Sequence, residues 1–295
     1  MTPQEVAACL LDQDEPEHNI AAIEHRQRLI KSWGIPPGSK VLEIGPGQGD
    51  FTVCLADSVG PAGRVVAVDP APLDWAVGTP DYRTARAFVL ASPLGSRMEF
   101  VQDDPIPFLD FPTTTTKSFD FIVFCHCIWY FSHPSFLPIM LAKARPRAAT
   151  VLIAEYSLST SLPSAVPHVL AALAANAVES FRGEDSKRNI RSALTPPQMV
   201  SAAEGAGWVL AKEHMVTPGE RQLDAFREVR MILNSKLFRT DMESVQVDDK
   251  IKTMLRGMTY AVRVSVGRLE GGLNSVRNMD VWAARFEAKE GSLTG

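Results

Sequence analysis

The sequence predicts a doubly wound α/β fold, a seven-stranded, mostly parallel sheet with helices on both faces. Three observations carry this. Five short apolar runs recur between residues 41 and 154, with room for a crossover helix between most of them. The runs are continuous rather than alternating, as strands buried on both faces require. The first run leads straight into a glycine-rich turn and a helix, and strand–helix alternation is the mark of a parallel sheet.

Taken in order, a helix over residues 17–33 precedes the first strand, Val41-Leu42-Glu43-Ile44. The turn Gly45-Pro46-Gly47-Gln48-Gly49 follows, then a helix from Phe51 to Ala56. The second strand is Arg64 to Val68, ending at Asp69; the third is Met98 to Val101, ending near Asp103 and Asp104. The fourth is Phe119 to Phe124, and the fifth Thr150 to Ala154, ending at Glu155 and Tyr156. Thr113 to Thr116 reads as a loop. An Ala-rich helix occupies 162–182. Thr195 caps the next helix, Pro196 and Pro197 suit its first turn, and Gln198 completes a capping box. Trp208 to Val216 and Val281 to Phe286 are the sixth and seventh strands.

Residues 220–270, between those two strands, predict two amphipathic helices, the second with Ile251, Met254, Leu255, Met258 and Val262 on one stripe. The domain plan is an N-terminal helical cap (1–37), an α/β core (38–217 and 278–295) and a helical insertion (218–277). Ligands of open α/β sheets sit beyond the carboxyl ends of the strands. The helical additions after strands five and six are therefore expected to form a lid, and Met231, Met254 and Met258 predict that it faces a hydrophobic or aromatic molecule.

The 295 residues carry 45% apolar residues and a net charge of −4, enough for a sizeable core. The acidic balance and the lack of a Lys/Arg run speak against nucleic acid. The N-terminus has no secretory pattern and no apolar run is long enough to span a membrane, so a cytoplasmic location without membrane insertion is expected. Four cysteines are too few for a disulfide framework, and the Cys125/Cys127 spacing is no zinc pattern, so no metal is expected. The exposed insertion helices offer a surface for pairing into a homodimer.

The chemistry starts at the glycine turn. Glycines at alternate positions allow positive φ and close approach of a ligand, and the following helix turns free N–H groups toward the same point. A dinucleotide fingerprint needs G-x-G-x-x-G. Here the third glycine comes one residue early, Asp50 stands where that fingerprint has glycine, and Glu43 lies in the strand end. Negative charge suits a ligand bearing an amino group and a sulfonium better than one bearing phosphates. Asp69, with Pro70 beside it, lies twenty positions after Gly49, where an acid accepts ribose hydroxyls.

Lys40 to Asp50 resembles motif I of the class I S-adenosylmethionine (SAM) dependent methyltransferases, V-L-D/E-x-G-x-G-x-G, whose fold is Rossmann-like. The resemblance is specific over residues 38–160. It implies SAM as cofactor, with S-adenosylhomocysteine as product, held by Glu43, Gly45, Gly47, Gly49, Asp69 and Pro70. It also implies an adenine contact from Asp104 or Asp103, and places Cys125 and His126, past the fourth strand, near the sulfonium. Within the superfamily the chain looks like the fungal small-molecule methyltransferases of secondary metabolism, through Ile23-Glu24-His25-Arg26-Gln27, the His126 to Phe131 run and Ala154-Glu155-Tyr156. Arg26 is a candidate partner for the cofactor carboxylate.

The implied function is methyl transfer to oxygen, nitrogen or sulfur of a small hydrophobic or aromatic metabolite. His126 is the leading base candidate on position, with His133 second; His25, on the face of the N-terminal helix it shares with His18, and Tyr156 are further candidates, and His168 can also reach the pocket. Two rival readings stand beside it. One is an NAD(P)-dependent oxidoreductase, disfavoured by Asp50, Glu43 and the lack of a Tyr-x-x-x-Lys pair. The other is a non-methylating SAM-binding protein on the same fold, a cyclase or regulatory subunit.

Overall fold

The computed structural model describes residues 1–11, 15–75, 80–110, 118–183 and 186–289; the loop expected at Thr113 to Thr116 lies outside them. Two helices, α1 (Pro3–Ala7) and α2 (Pro16–Trp33), precede β1 (Lys40–Ile44) and α3 (Asp50–Val59). Then come β2 (Arg64–Asp69), α4 (Tyr82–Ala91), β3 (Met98–Gln102), α5 (Pro105–Asp110), β4 (Phe121–Cys125), α6 (Phe136–Ala144) and β5 (Thr150–Tyr156). The second half holds α7 (Val166–Glu179), α8 (Pro196–Gly205), β6 (Trp208–Val216), α9 (Asp224–Asn234), α10 (Lys236–Ser244), α11 (Asp249–Gly267) and β7 (Val281–Ala288).

The seven strands form one sheet in the order β3-β2-β1-β4-β5-β7-β6. Strands β1 to β5 pair in parallel, and β7 is antiparallel to both β5 and β6. Successive side chains of a strand point to opposite faces, which divides the core in two. Val41, Val123 and Leu152 belong to the face packed with α2, α3, α7 and α11. Leu42, Ile122 and Val151 belong to the face packed with α6 and α8. Because both faces are covered at the centre of the sheet, β4 and β5 are buried along their whole length, whereas the edge strand β6 is largely exposed.

Several details follow from local chemistry. Thr195 and Gln198 make the expected capping box on α8. Gly34, at φ 66°, ends α2 in the left-handed conformation that glycine adopts at no steric cost. The insertion has three helices where the sequence reading placed two. Ser235 is extended and its hydroxyl accepts from the Phe238 N–H, and Asp248 accepts from the Ile251 N–H, so each starts a new helix. On α11, Leu255 and Val262 are buried, but Met254 is 48% exposed and is not part of the expected stripe. Helices α9 and α11 pack on α7. Among the described residues no helix is long and apolar enough to cross a membrane.

Candidate functional site

Strand order reverses between β1 and β4, so the loops after these two strands part and leave a crevice at the carboxyl edge of the sheet. The glycine turn fills one side of it. Gly45, Gly47 and Gly49 all have positive φ, at 71°, 56° and 102°. A Cβ on Gly45 would lie 2.8 Å from Cβ of Cys127, and one on Gly49 would lie 2.9 Å from Cζ of Phe100. The turn is thus packed from below by β3 and from the side by the segment after β4. Gly49 is also the N-cap of α3, whose first turn faces the crevice.

Below the turn, Glu43 is buried and its Oε2 accepts from the Thr52 hydroxyl at 2.6 Å. Burial pushes its carboxyl up to about 8 despite that hydrogen bond. The negative charge expected of Glu43 is therefore absent near neutral pH, because desolvation outweighs the stabilisation of the anion. Asp50, at the start of α3, is paired with Arg26 from α2 at 3.5 Å.

Asp69 ends β2 beside the turn and is buried. Its Oδ2 accepts from the Gly47 N–H at 3.1 Å and its Oδ1 from the Ala71 N–H at 2.8 Å. Arg86 of α4 closes over it, with Nη2 3.2 Å from Oδ2 and Nε donating to the Gly47 carbonyl at 2.8 Å. The guanidinium also lies over the Tyr82 and Phe100 rings, 4.8 and 5.3 Å from their centroids. Pro70 follows, exposed. One strand further out, Asp104 caps α5 by accepting from the Ile106 N–H, while Asp103 accepts from the Asp104 N–H; both are exposed.

The other wall is built by the ends of β4 and β5. Cys125 is the buried last residue of β4, and burial raises its thiol well above the usual range. His126 follows at φ 51°, a conformation uncommon outside glycine. Its N–H donates to the Ala154 carbonyl at 2.9 Å, which pins the strained residue to β5. The imidazole Nδ1 lies 3.4 Å from Oε1 of Glu155, and the side chain keeps 25% of its surface exposed. Glu155 is buried and held by the backbone N–H groups of Ile128, Trp129 and Tyr156. His25 reaches this wall from α2, its ring centroid 6.0 Å from that of His126. It is 3% exposed, and neither ring nitrogen has a hydrogen-bond partner among the described residues. Burial, then the neighbouring His126, Arg26 and Arg28, hold His25 well below its ordinary value.

Tyr156 packs on His126 with centroids 4.8 Å apart. Its phenol donates to Asp224 Oδ2 at 2.7 Å and accepts from Asn278 Nδ2 at 2.9 Å. His168, fully buried behind it, accepts from the Met279 N–H at Nδ1, which leaves Nε2 to donate to Glu228 at 2.9 Å. Asp224 and Glu228 are one turn apart on α9, so two carboxylates fasten the insertion to the core. Tyr130 stands at the mouth, 52% exposed, with its phenol pushed up first by the surrounding protein and then by Glu228 and Asp224.

The crevice therefore brings together Glu43, the three glycines, Asp69, Arg26, Cys125, His126, His25 and Tyr156. His133 is elsewhere: it is exposed, and its Nδ1 lies in a turn, 2.7 Å from the Ser135 hydroxyl. His18 has its Nδ1 2.6 Å from the Arg221 carbonyl. Sequence reasoning missed Glu155, Arg86, Asp224 and Asn278 as site residues. For Glu155 a signal existed, a carboxylate set between apolar residues at a strand end; for Asn278, in an irregular segment before β7, there was none.

Comparison with known proteins agrees with this geometry. The family model of protein-L-isoaspartate(D-aspartate) O-methyltransferase matches residues 11–73. The methyltransferases phomM' and phomM of Diaporthe leptostromiformis are each 26% identical to the chain, covering 92% of it and 86% of their own lengths. Among solved structures, a cyclopropane-fatty-acyl-phospholipid synthase-like protein from Lactobacillus casei superposes with a TM-score of 0.78 at 20% identity, covering 97% of this chain and 98% of its own. The [4+2]-cyclase SpnF superposes with a TM-score of 0.50 at 12% identity, over 91% of this chain and 81% of its own. With the glycine turn, the strand order and a match to fungal methyltransferases along nearly its whole length, the chain is similar to the class I S-adenosylmethionine-dependent methyltransferases.

Proposed function

We propose that the protein binds SAM in the crevice between β1 and β4 and methylates a small, largely aromatic metabolite held under the helical insertion. The observation that carries this reading is the cradle of three positive-φ glycines set against a buried carboxylate, Asp69. The residues fit the cofactor. The three glycines of the turn offer backbone without Cβ atoms, and the Asp50 and Asp69 carboxylates beside it suit an amino group and a sulfonium. Asp69 would receive the ribose hydroxyls, Asp104 or Asp103 the adenine amino group, and Arg26 the cofactor carboxylate. When bound, SAM supplies a methyl group on a sulfonium that leaves as a neutral thioether.

The chain's own task is then to aim the acceptor and manage its proton. Alignment alone is worth about 7–11 kcal/mol in well-oriented reactions. His126 is the group placed to accept a proton, with Glu155 against its other nitrogen; such contacts are often long before substrate binds and shorten afterwards. Residues 1–37 act as a cap that brings His25 and Arg26 to the site, and 218–277 as the lid, fastened by Asp224 and Glu228. Segment 186–192 adds to the cover, since Lys187 lies 5.3 Å from the centroid of Trp75, in the loop after β2.

Calorimetric titration with SAM, S-adenosylhomocysteine and NADH, repeated on Asp69→Ala, tests the reading. Binding of SAM and its product, lost in the variant and absent for NADH, is the expected result. A preference for NADH, or no heat with SAM, overturns it. Formation of S-adenosylhomocysteine on turnover separates a methyltransferase from a protein that only binds the cofactor.

A further inference from the structure

His25 is a buried imidazole with no hydrogen-bond partner among the described residues. Its two nitrogens are shielded from solvent and unpartnered, although its ring faces that of His126 at 6.0 Å between centroids. Leaving a buried polar group unsatisfied costs stability, and such a group at the wall of a site marks a position for a ligand atom. His126 shows the complementary feature. Its backbone is held at positive φ, its Nδ1 is buried against Glu155, and the rest of the ring borders the crevice. One hydroxyl, accepting a hydrogen bond of about 2.8 Å on one side and donating a similar one on the other, spans such a separation of rings.

We infer that the acceptor is a hydroxylated aromatic molecule whose reacting hydroxyl sits between His25 and His126. An unprotonated amine already offers its lone pair and has no need of a fixed base, whereas a hydroxyl is a weak nucleophile until its proton is taken. The pair divides the work. An N–H of His25 donates to the acceptor oxygen, and the O–H proton passes to Nε2 of His126. The oxygen lone pair forms the new O–C bond, and the C–S bonding pair stays on sulfur. Glu155 offsets the positive charge that His126 then carries, and the proton leaves to solvent after the ether product departs. Tyr156, whose ring centroid lies 4.8 Å from that of His126, supplies aromatic surface beside it.

This inference rests on the cofactor reading above, and the test keeps the two apart. Calorimetry with S-adenosylhomocysteine comes first; failure there sinks the cofactor reading. The loaded protein is then titrated with 4-nitrophenol below the pKa of the free phenol, following the phenolate absorption band. Growth of the band on binding is expected, abolished in His126→Asn and weakened about tenfold in affinity in His25→Phe, the loss of one hydrogen bond. Asn tolerates the left-handed backbone, so His126→Asn keeps the fold. Methyl transfer to 4-nitrophenol should exceed transfer to 4-nitroaniline, and should fall about 10²–10⁴-fold in His126→Asn. His25→Phe removes two unsatisfied buried nitrogens, so its Tm should rise while acceptor binding falls, a split that a packing role does not produce. No phenolate band at saturating phenol, faster transfer to the aniline, or weakened S-adenosylhomocysteine binding in His25→Phe overturns the proposal.

Discussion

Arg86 and Asp69 form a buried ion pair at the mouth of the glycine turn, 3.2 Å apart, with both side chains nearly sealed from solvent. The same Asp69 oxygen accepts from Gly47, and the guanidinium donates to the Gly47 carbonyl, so the pair clamps the turn from both sides. Burial lowers the pKa of Arg86 and the Asp69 charge counters that shift. Removing one partner from such a pair strands the other charge. Arg86→Met is expected to cost about 3–5 kcal/mol in denaturant unfolding. The double variant Arg86→Met with Asp69→Asn should cost less than the sum of the two single changes, with a coupling of roughly 1–3 kcal/mol. Strict additivity would mean that the two groups do not interact in solution.

The hydrogen bond from Tyr156 to Asp224 joins the core to the insertion. Burial opposes ionisation of Asp224, but Tyr156, Arg26, His126 and His168 together hold its pKa below the usual value. Tyr156→Phe deletes the donor while leaving the carboxylate buried, and is expected to cost about 1–3 kcal/mol. The loss should be local, with faster amide hydrogen exchange in Asp224–Asn234 than in β1 or β4. Uniform acceleration across the sheet would show that this bond does not hold α9.

Two glycines are expected to respond oppositely to alanine. Gly49 combines φ 102° with a Cβ position 2.9 Å from the Phe100 ring, so Gly49→Ala should lose roughly 1–3 kcal/mol. Gly257, inside α11, has open space around it. Gly257→Ala should gain about 0.5–1 kcal/mol from helix propensity alone. Thermal unfolding of the two variants beside the wild type reads both signs.

Strands β1, β2 and β5 were legible because each is an apolar run ended by glycine or a carboxylate, and the glycine turn because its spacing demands positive φ. The wall of the site was legible only where it is local in sequence: His126 follows a strand directly, and Tyr156 ends one. Arg86, Asp224 and Asn278 meet their partners across long stretches of chain, and the residues around them look like any polar helix or loop. The insertion holds one more helix than expected because Ser235 and Asp248 each cap the start of a new one. Glu43 was visible, but its charge was not, since burial beneath the turn is a property of the packed fold.

Glu43 carries the pH prediction. Its folded pKa of about 8 lies above the ordinary value of 4.5, so between those limits the folded state holds a proton that the unfolded state has released. Stability from this group therefore falls as pH rises through that window, and Glu43→Gln should abolish the fall. The Tm difference between wild type and Glu43→Gln, followed from the acid to the alkaline end of the window, measures it; a constant difference would show that Glu43 is ionised throughout. The same proton should report on the ligand. A sulfonium above the turn favours the anion of Glu43, while the neutral thioether of S-adenosylhomocysteine does not. Titrations at neutral pH in buffers of different protonation enthalpy should then show greater proton release with SAM than with S-adenosylhomocysteine. Equal release for the two would place the sulfonium away from Glu43.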